Sequence, residues 1–180
     1  MLTITIPSAE GFDENINEFF QTKEQTIVLE HSLVSISKWE AKWKKPFLSK
    51  EAKTSEEIID YIKCMTLTQN VDPNVYNFIS SDIFAKIESY INEPMTATWF
   101  NEDPNAPKSR EIITSELIYY WMIAFSIPFE CQKWHLNRLL TLIRVCNIKN
   151  TPSKKMSKSQ ILNRNKNLNA ARRKVLNTKG

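Results

Sequence analysis

The spacing of hydrophobic residues changes along the chain. Leu2-Thr3-Ile4-Thr5-Ile6 alternates apolar and polar residues with period two and stops at Pro7, which predicts a short strand. Gln25–Glu30, with Ile27, Val28 and Leu29, predicts a partner strand. The polar stretch around Gly11 and Asp13–Asn17 reads as their connection, with Phe19-Phe20 as a candidate third short strand. A small β-hairpin or sheet is therefore expected over residues 1–30.

From Ser32 the spacing becomes helical. Ser32–Lys45 puts Leu33, Ile36, Trp39 and Trp43 near one face, with lysines on the other, and Pro46 ends it. Thr54-Ser55-Glu56-Glu57 places a hydroxyl and a carboxylate three residues apart, the capping-box spacing. It opens a helix carrying Ile58, Ile59, Ile62 and Met65. Asp72-Pro73 joins a cap to a proline at the first helical position and predicts a short helix to about Ile79. Ser81–Asn92 follows with Ile83, Phe84, Ile87 and Ile91, and Pro94 stops it. Met95–Lys108 reads as a loop.

Arg110–Phe125 is the most apolar segment. Leu117 through Ile123 is hydrophobic on every side, which predicts a helix central to the core. Ile127-Pro128-Phe129 breaks the chain. Glu130–Asn147 is then amphipathic, with Trp134, Leu136, Leu139, Leu140, Ile143 and Cys146 inward and Lys133, Asn137, Arg138 and Arg144 outward. The last two helices are expected to form an antiparallel hairpin. Residues 1–150 thus read as one mainly α domain, β in 1–30 and helical in 31–150.

Charge separates the remainder. Residues 1–150 hold 15 Lys/Arg and 20 Asp/Glu, a balance of −5, whereas 151–180 hold 9 Lys/Arg and no acid. The net +4 hides two different polymers joined near Pro152. The basic tail has its own helical signals. Ser157-Lys158-Ser159-Gln160 repeats the capping-box spacing, and Ile161, Leu168 and Val175 recur every seven residues, beside Leu162, Asn169 and Leu176. A narrow stripe of this kind is marginal alone in water and needs a surface to lie against. Its candidate contact residues are Ile161, Leu168 and Val175 with the cations Arg164, Arg172, Arg173 and Lys174. A nucleic-acid backbone, an acidic protein partner and the acidic body itself all fit those charges.

Composition narrows the chemistry. The 180 residues include two glycines, Gly11 and Gly180, too few for a phosphate-cradling loop or a dinucleotide-binding turn. Lys155-Met156-Ser157-Lys158-Ser159 spells the KMSKS signature of class I aminoacyl-tRNA synthetases. It lacks the upstream HIGH element and the large nucleotide fold, so it reads as a helix start. Cys131, His135 and Glu130 are the nearest approach to a nucleophile set, and Cys131, His135, Cys146 and Cys64 the nearest to a zinc set. Neither has the required spacing, so no catalytic residue, metal or cofactor is assigned. His31 reads as a turn residue. Trp39 and Trp43 beside Lys38, Lys42, Lys44 and Lys45 read as core anchors with a solvated lysine face, against a basic aromatic patch for nucleic acid.

Three cysteines at unrelated spacings do not form a secreted disulfide framework. The start of the chain lacks a signal-peptide pattern, and the longest apolar run, Leu117–Phe129, is about 13 residues against roughly 20 for a membrane span. An intracellular protein without a membrane partner is expected.

Several blocks carry a resemblance: His31-Ser32-Leu33-Val34-Ser35-Ile36-Ser37-Lys38-Trp39-Glu40, Glu116–Ala124, Trp134-His135-Leu136-Asn137-Arg138-Leu139-Leu140 and Asn169-Ala170-Ala171-Arg172-Arg173. In these blocks, and in size and layout, the chain resembles the tail assembly chaperones of tailed bacteriophages. The resemblance implies a mostly helical, non-catalytic protein in the cytoplasm of the infected host. Its partner would be the tape measure protein, with the tail tube protein as an additional partner. A homo-oligomer is a separate candidate, and the sequence leaves the oligomeric state open. It implies no conserved active site. The alternatives are a nucleic-acid-binding accessory protein using the basic tail, and a structural tail or neck component of the virion.

Overall fold

Alternation at the start of the chain builds β1 (Leu2–Ile6), which pairs antiparallel with β4 (Gln25–Leu29), Ile4 opposite Ile27. Ile4, Ile6, Ile27 and Leu29 face the core, and the Thr5 and Thr26 hydroxyls meet at 3.0 Å on the exposed side. The computed structural model describes residues 1–13, 17–101, 111–151 and 157–178. Arg110 as a helix start, the 102–108 part of the expected loop, the Pro152 junction and Lys155-Met156 lie outside the described residues. The chain divides into two units, Met1–Asn147 and Ile148–Gly180.

The connection between β1 and β4 is a second antiparallel pair, β2 (Ala9–Asp13) and β3 (Glu18–Thr22). The stretch around Gly11 is therefore a strand and not only a connection. Gly11 sits opposite Phe20, and a methyl group built on it would stand 2.5 Å from Phe20 Cζ and 2.9 Å from Phe78 Cζ. The glycine leaves room for those two rings, whose centroids lie 6.0 Å apart.

The helices follow their caps. Helix α1 (Leu33–Trp43) starts at a Ser32/Ser35 capping box and ends where Lys44 turns left-handed. Helix α2 (Ser55–Met65) starts at the expected Thr54/Glu57 box. The two pack together: Trp39 is buried and donates Nε1–H to the Glu57 carbonyl at 2.9 Å, and Trp43 donates to Asp60 Oδ2 at 2.9 Å. Lys45 and Lys42 pair with Glu57 and Asp60. The tryptophans are anchors between two helices, and two of the lysines beside them are engaged by α2.

After α2 the chain returns along β4. Glu30 donates its amide to Met65 O, Leu67 donates to Val28 O, and Thr68 Oγ1 accepts from the Val28 amide. This extension of the sheet has no alternating signature in the sequence. The Asp72-Pro73 start gives a 3₁₀ helix, Pro73–Phe78, and α3 (Ser81–Asn92) packs on β1.

Helix α4 (Ser115–Ala124) begins five residues later than expected, at the Thr114 cap. It is not central. Ile118 and Met122 are buried and the helix packs on α1, while Tyr120 and Ile123 are 63% and 64% exposed. Glu130–Asn147 is not one helix either. Phe129–Lys133 is a 3₁₀ turn and α5 runs Leu136–Asn150. Asn137, expected to face solvent, donates both amide hydrogens to the Ile91 and Glu93 carbonyls at 2.9 and 2.8 Å, closing the end of α3. Helices α4 and α5 face each other across an apolar groove rather than forming a tight hairpin.

Glu40, buried within α1, ties these parts together. Its carboxylate accepts the Phe47 amide at 2.7 Å and the Ser115 amide, the first of α4, at 2.8 Å. Glu40→Ala strands two buried donors and is expected to cost about 2–4 kcal/mol in urea denaturation, with Glu40→Gln recovering part of it. A loss near zero would show that the two amides have other partners. Gly11→Ala is expected to cost about 1–2 kcal/mol by displacing the Phe20 and Phe78 rings, read as a lowered melting midpoint. An unchanged midpoint would contradict the close approach.

Candidate functional site

The expected contact residues all lie on α6 (Lys158–Leu176). Ser157 Oγ accepts the Gln160 amide at 3.2 Å and Gln160 Oε1 accepts the Ser157 amide at 3.0 Å, so the second half of the KMSKS string is a helix cap. Asn177 closes the other end in the left-handed conformation, donating its amide to Arg173 O. Arg173 and Lys174 lie in the last turn, where cations complement the helix dipole.

Helical periodicity puts Ile161, Leu168 and Val175 on one side of α6, with Arg164 and Arg172 among them and Leu162 and Leu176 in the adjacent row. Arg173 and Lys174 point to the rest of the surface. No residue of α6 is buried, and Val175 is 84% exposed. An aliphatic stripe of this length left in water is a feature of interaction helices rather than of a folded core.

The body holds a second polar constellation, deeply buried and not evident in the sequence. His31 and His135 face each other edge to face with ring centroids 5.0 Å apart. His31 Nδ1 shares a 2.5 Å hydrogen bond with the Tyr61 hydroxyl. His135 Nδ1 accepts the Asn137 amide at 3.3 Å, which leaves its proton on Nε2, donated to Tyr90 O at 3.0 Å. The Tyr90 hydroxyl donates to Glu30 Oε1 at 2.6 Å. Backbone pairing completes the junction, with the Leu136 amide donating to His31 O at 2.8 Å.

Burial governs protonation here. It lowers His31 to about 3, assisted by the charge of His135, and it lowers His135 as well. Burial also pushes the Tyr61 and Tyr90 hydroxyls up, so both remain protonated donors. His135 has both nitrogens occupied by Tyr90 and Asn137, so neither is left to activate the Cys131 thiol. Cys131 sits in the 3₁₀ turn before it, buried, and Glu130 is exposed. The sequence separations of 30 and 45 residues between these histidines and their partners give no local signal.

Cys64, Cys131 and Cys146 are free thiols. Among the described residues no group of three His, Cys, Asp or Glu side chains could hold a metal ion. No helix among them is long and apolar enough to cross a membrane. Apolar grooves on the body include two between helices. One, of about 450 Å³, lies between α4 and α5 among Trp121, Phe125, Leu140 and Ile143, with Arg144 at its side. The other lies between α2 and α3. Comparison of the chain with protein-family models, curated proteins and solved structures finds no match.

The neutral buried histidines give stability a definite pH dependence. The unfolded chain takes up protons below about pH 6.5 while folded His31 resists until about 3. The His31 contribution is therefore full above about 6.5 and falls by roughly 1.4 kcal/mol per pH unit below it, and His135, lowered by burial, acts in the same direction. Urea unfolding at pH 7, 6 and 5 is expected to show this slope, and His31→Gln to reduce it. A flat profile would contradict a neutral His31 in the core.

Proposed function

We propose that this chain is a non-catalytic binding protein that acts as a phage tail assembly chaperone, holding the tape measure protein in the cytoplasm of the infected host. The observation that carries this reading is α6: a capped, acid-free helix whose repeating aliphatic residues are all exposed. Such a helix recognises another amphipathic helix, preferably one with carboxylates beside its apolar face. A long helical client offers many such sites, so weak individual contacts add up through multivalency.

Supporting features lie in the body. The outer face of α4 exposes Tyr120 and Ile123, and the α4–α5 groove provides further apolar surface for a client helix. The sequence blocks that resemble tail assembly chaperones include both α4 and the start of α5. In this reading the buried His31–His135 junction serves the fold. The tail tube protein is a second client.

Binding of the full chain to a tape-measure fragment and to duplex DNA, each across a salt series, tests the proposal. Fragment binding is expected to weaken at least about tenfold in Leu168→Asp, because an aspartate interrupts the stripe. Changing Arg172, Arg173 and Lys174 to glutamine is expected to weaken it less and to flatten its salt dependence. DNA binding with a steep salt slope, insensitive to Leu168→Asp and unaccompanied by fragment binding, would overturn the proposal in favour of a nucleic-acid accessory role.

A further inference from the structure

The acidic surplus of the body is concentrated in one place. Residues 51–93 contain 3 Lys/Arg and 8 Asp/Glu, which accounts for the whole −5 of residues 1–150. This segment builds α2 and α3. Glu57 is engaged by Lys45, just after α1, and Asp60 by Lys42 of α1, whereas Glu56, Asp82, Glu88 and Glu93 are exposed on or beside the same two helices.

Between α2 and α3 runs an aliphatic groove of about 280 Å³, lined by Ile58, Ile62, Phe84, Ile87 and Ile91, with Glu88 as its charged wall. Ile58, at its mouth, is 40% exposed. A helix that fits here must offer aliphatic residues at helical spacing and cations beside them. It gains further from having no acid, because carboxylates would meet the negative field of α2 and α3. Helix α6 has these properties: Ile161, Leu168 and Val175 form the stripe, Arg164 and Arg172 accompany it, and it contains no Asp or Glu. The α4–α5 groove carries Arg144 and Glu111 together, so its lining has no net charge, whereas the one charged residue of the α2–α3 groove is Glu88.

We propose that α6 of a second copy of this chain seats its stripe in the α2–α3 groove, so that copies associate through a groove-to-tail contact. The contact is heterologous: the groove of one copy takes the tail of another, and reciprocal exchange closes a dimer while one-way exchange builds larger assemblies. Self-association then covers the same stripe that a client helix needs, so client and copy compete, each weakening the binding of the other. The inference uses α6 as an interaction helix and does not depend on the identity of the client.

Sedimentation of the full chain over a concentration series, at low and high salt and with no client present, tests it. The unaltered chain is expected to associate as concentration rises and to dissociate as salt rises. Leu168→Asp in the tail and Ile58→Asp in the groove should each weaken association by about tenfold or more. An equimolar mixture of the two variants keeps one intact groove and one intact tail. It should form a two-chain species that neither variant forms alone. Glu88→Lys, an exposed charge change that spares the apolar groove, is expected to weaken association less and to reduce its salt dependence, and it serves if Ile58→Asp misfolds. A chain that stays monomeric throughout, including one that folds its own tail onto its groove, would overturn the proposal. So would association of Ile58→Asp and Glu88→Lys at wild-type strength, or a mixture that fails to recover. None of these outcomes bears on client binding, which is measured separately.

Discussion

His31 and His135 meet where β4, α1, α2, α3 and α5 converge, their ring centroids 5.0 Å apart. Buried polar groups cost stability unless each finds a partner, and here each of these elements supplies one. β4 is followed by Glu30, which takes the Tyr90 hydroxyl of α3. Ser35 of α1 donates its hydroxyl to Glu30 O, Tyr61 of α2 meets His31, and the first turn of α5 is bound through His135 and the Leu136 amide. Among the described residues no buried side-chain nitrogen or oxygen lacks a hydrogen bond. The junction is therefore a closed network, and loss of one member exposes several others to an unpaired state.

Glu40 plays the matching role on the other side of α1. One carboxylate fixes the loop after α1 through Phe47 and the start of α4 through Ser115. With Glu30 and Glu40 holding the ends of helices in place, the aliphatic core of Ile4, Ile27, Leu29, Ile36, Ile118 and Leu139 is enclosed between the β1–β4 pair and the helices. Polar groups set the positions of the elements in this body, and apolar burial supplies most of the driving force.

Features whose signal is local were legible in the sequence. The Thr54/Glu57 and Ser157/Gln160 boxes and the Asp72-Pro73 start appear where their spacing places them, and the Leu2–Ile6 alternation gives β1. Features set by distant partners were not. Gly11 suggested a connection because its value lies in the space it leaves for Phe20 and Phe78, which composition does not reveal. Asn137 looked solvent-facing because the carbonyls it closes belong to α3, 44 to 46 residues away. The apolar run of α4 suggested a central helix, but Ser115, Ile118 and Met122 are its buried residues, Tyr119 and Trp121 are partly buried against the core, and Tyr120 and Ile123 are exposed. His31 looked like a simple turn residue, and its burial follows from a junction assembled out of five elements. The stripe on α6 could be read from its seven-residue spacing, whereas its exposure required the structure.

The proposed binding role rests on the contrast between a body with a satisfied interior and a helix whose apolar stripe is exposed. A lone helix of this composition gains little from propensity, so a surface that covers its stripe also stabilises its backbone. Amide hydrogen exchange across Lys158–Leu176 reads that coupling directly. Fast exchange is expected for the dilute chain alone, with protection of α6 on adding a tape-measure fragment. An α6 that exchanges equally fast with and without the fragment, or that gains protection only with duplex DNA, would contradict the proposed role of α6 as a client-binding helix.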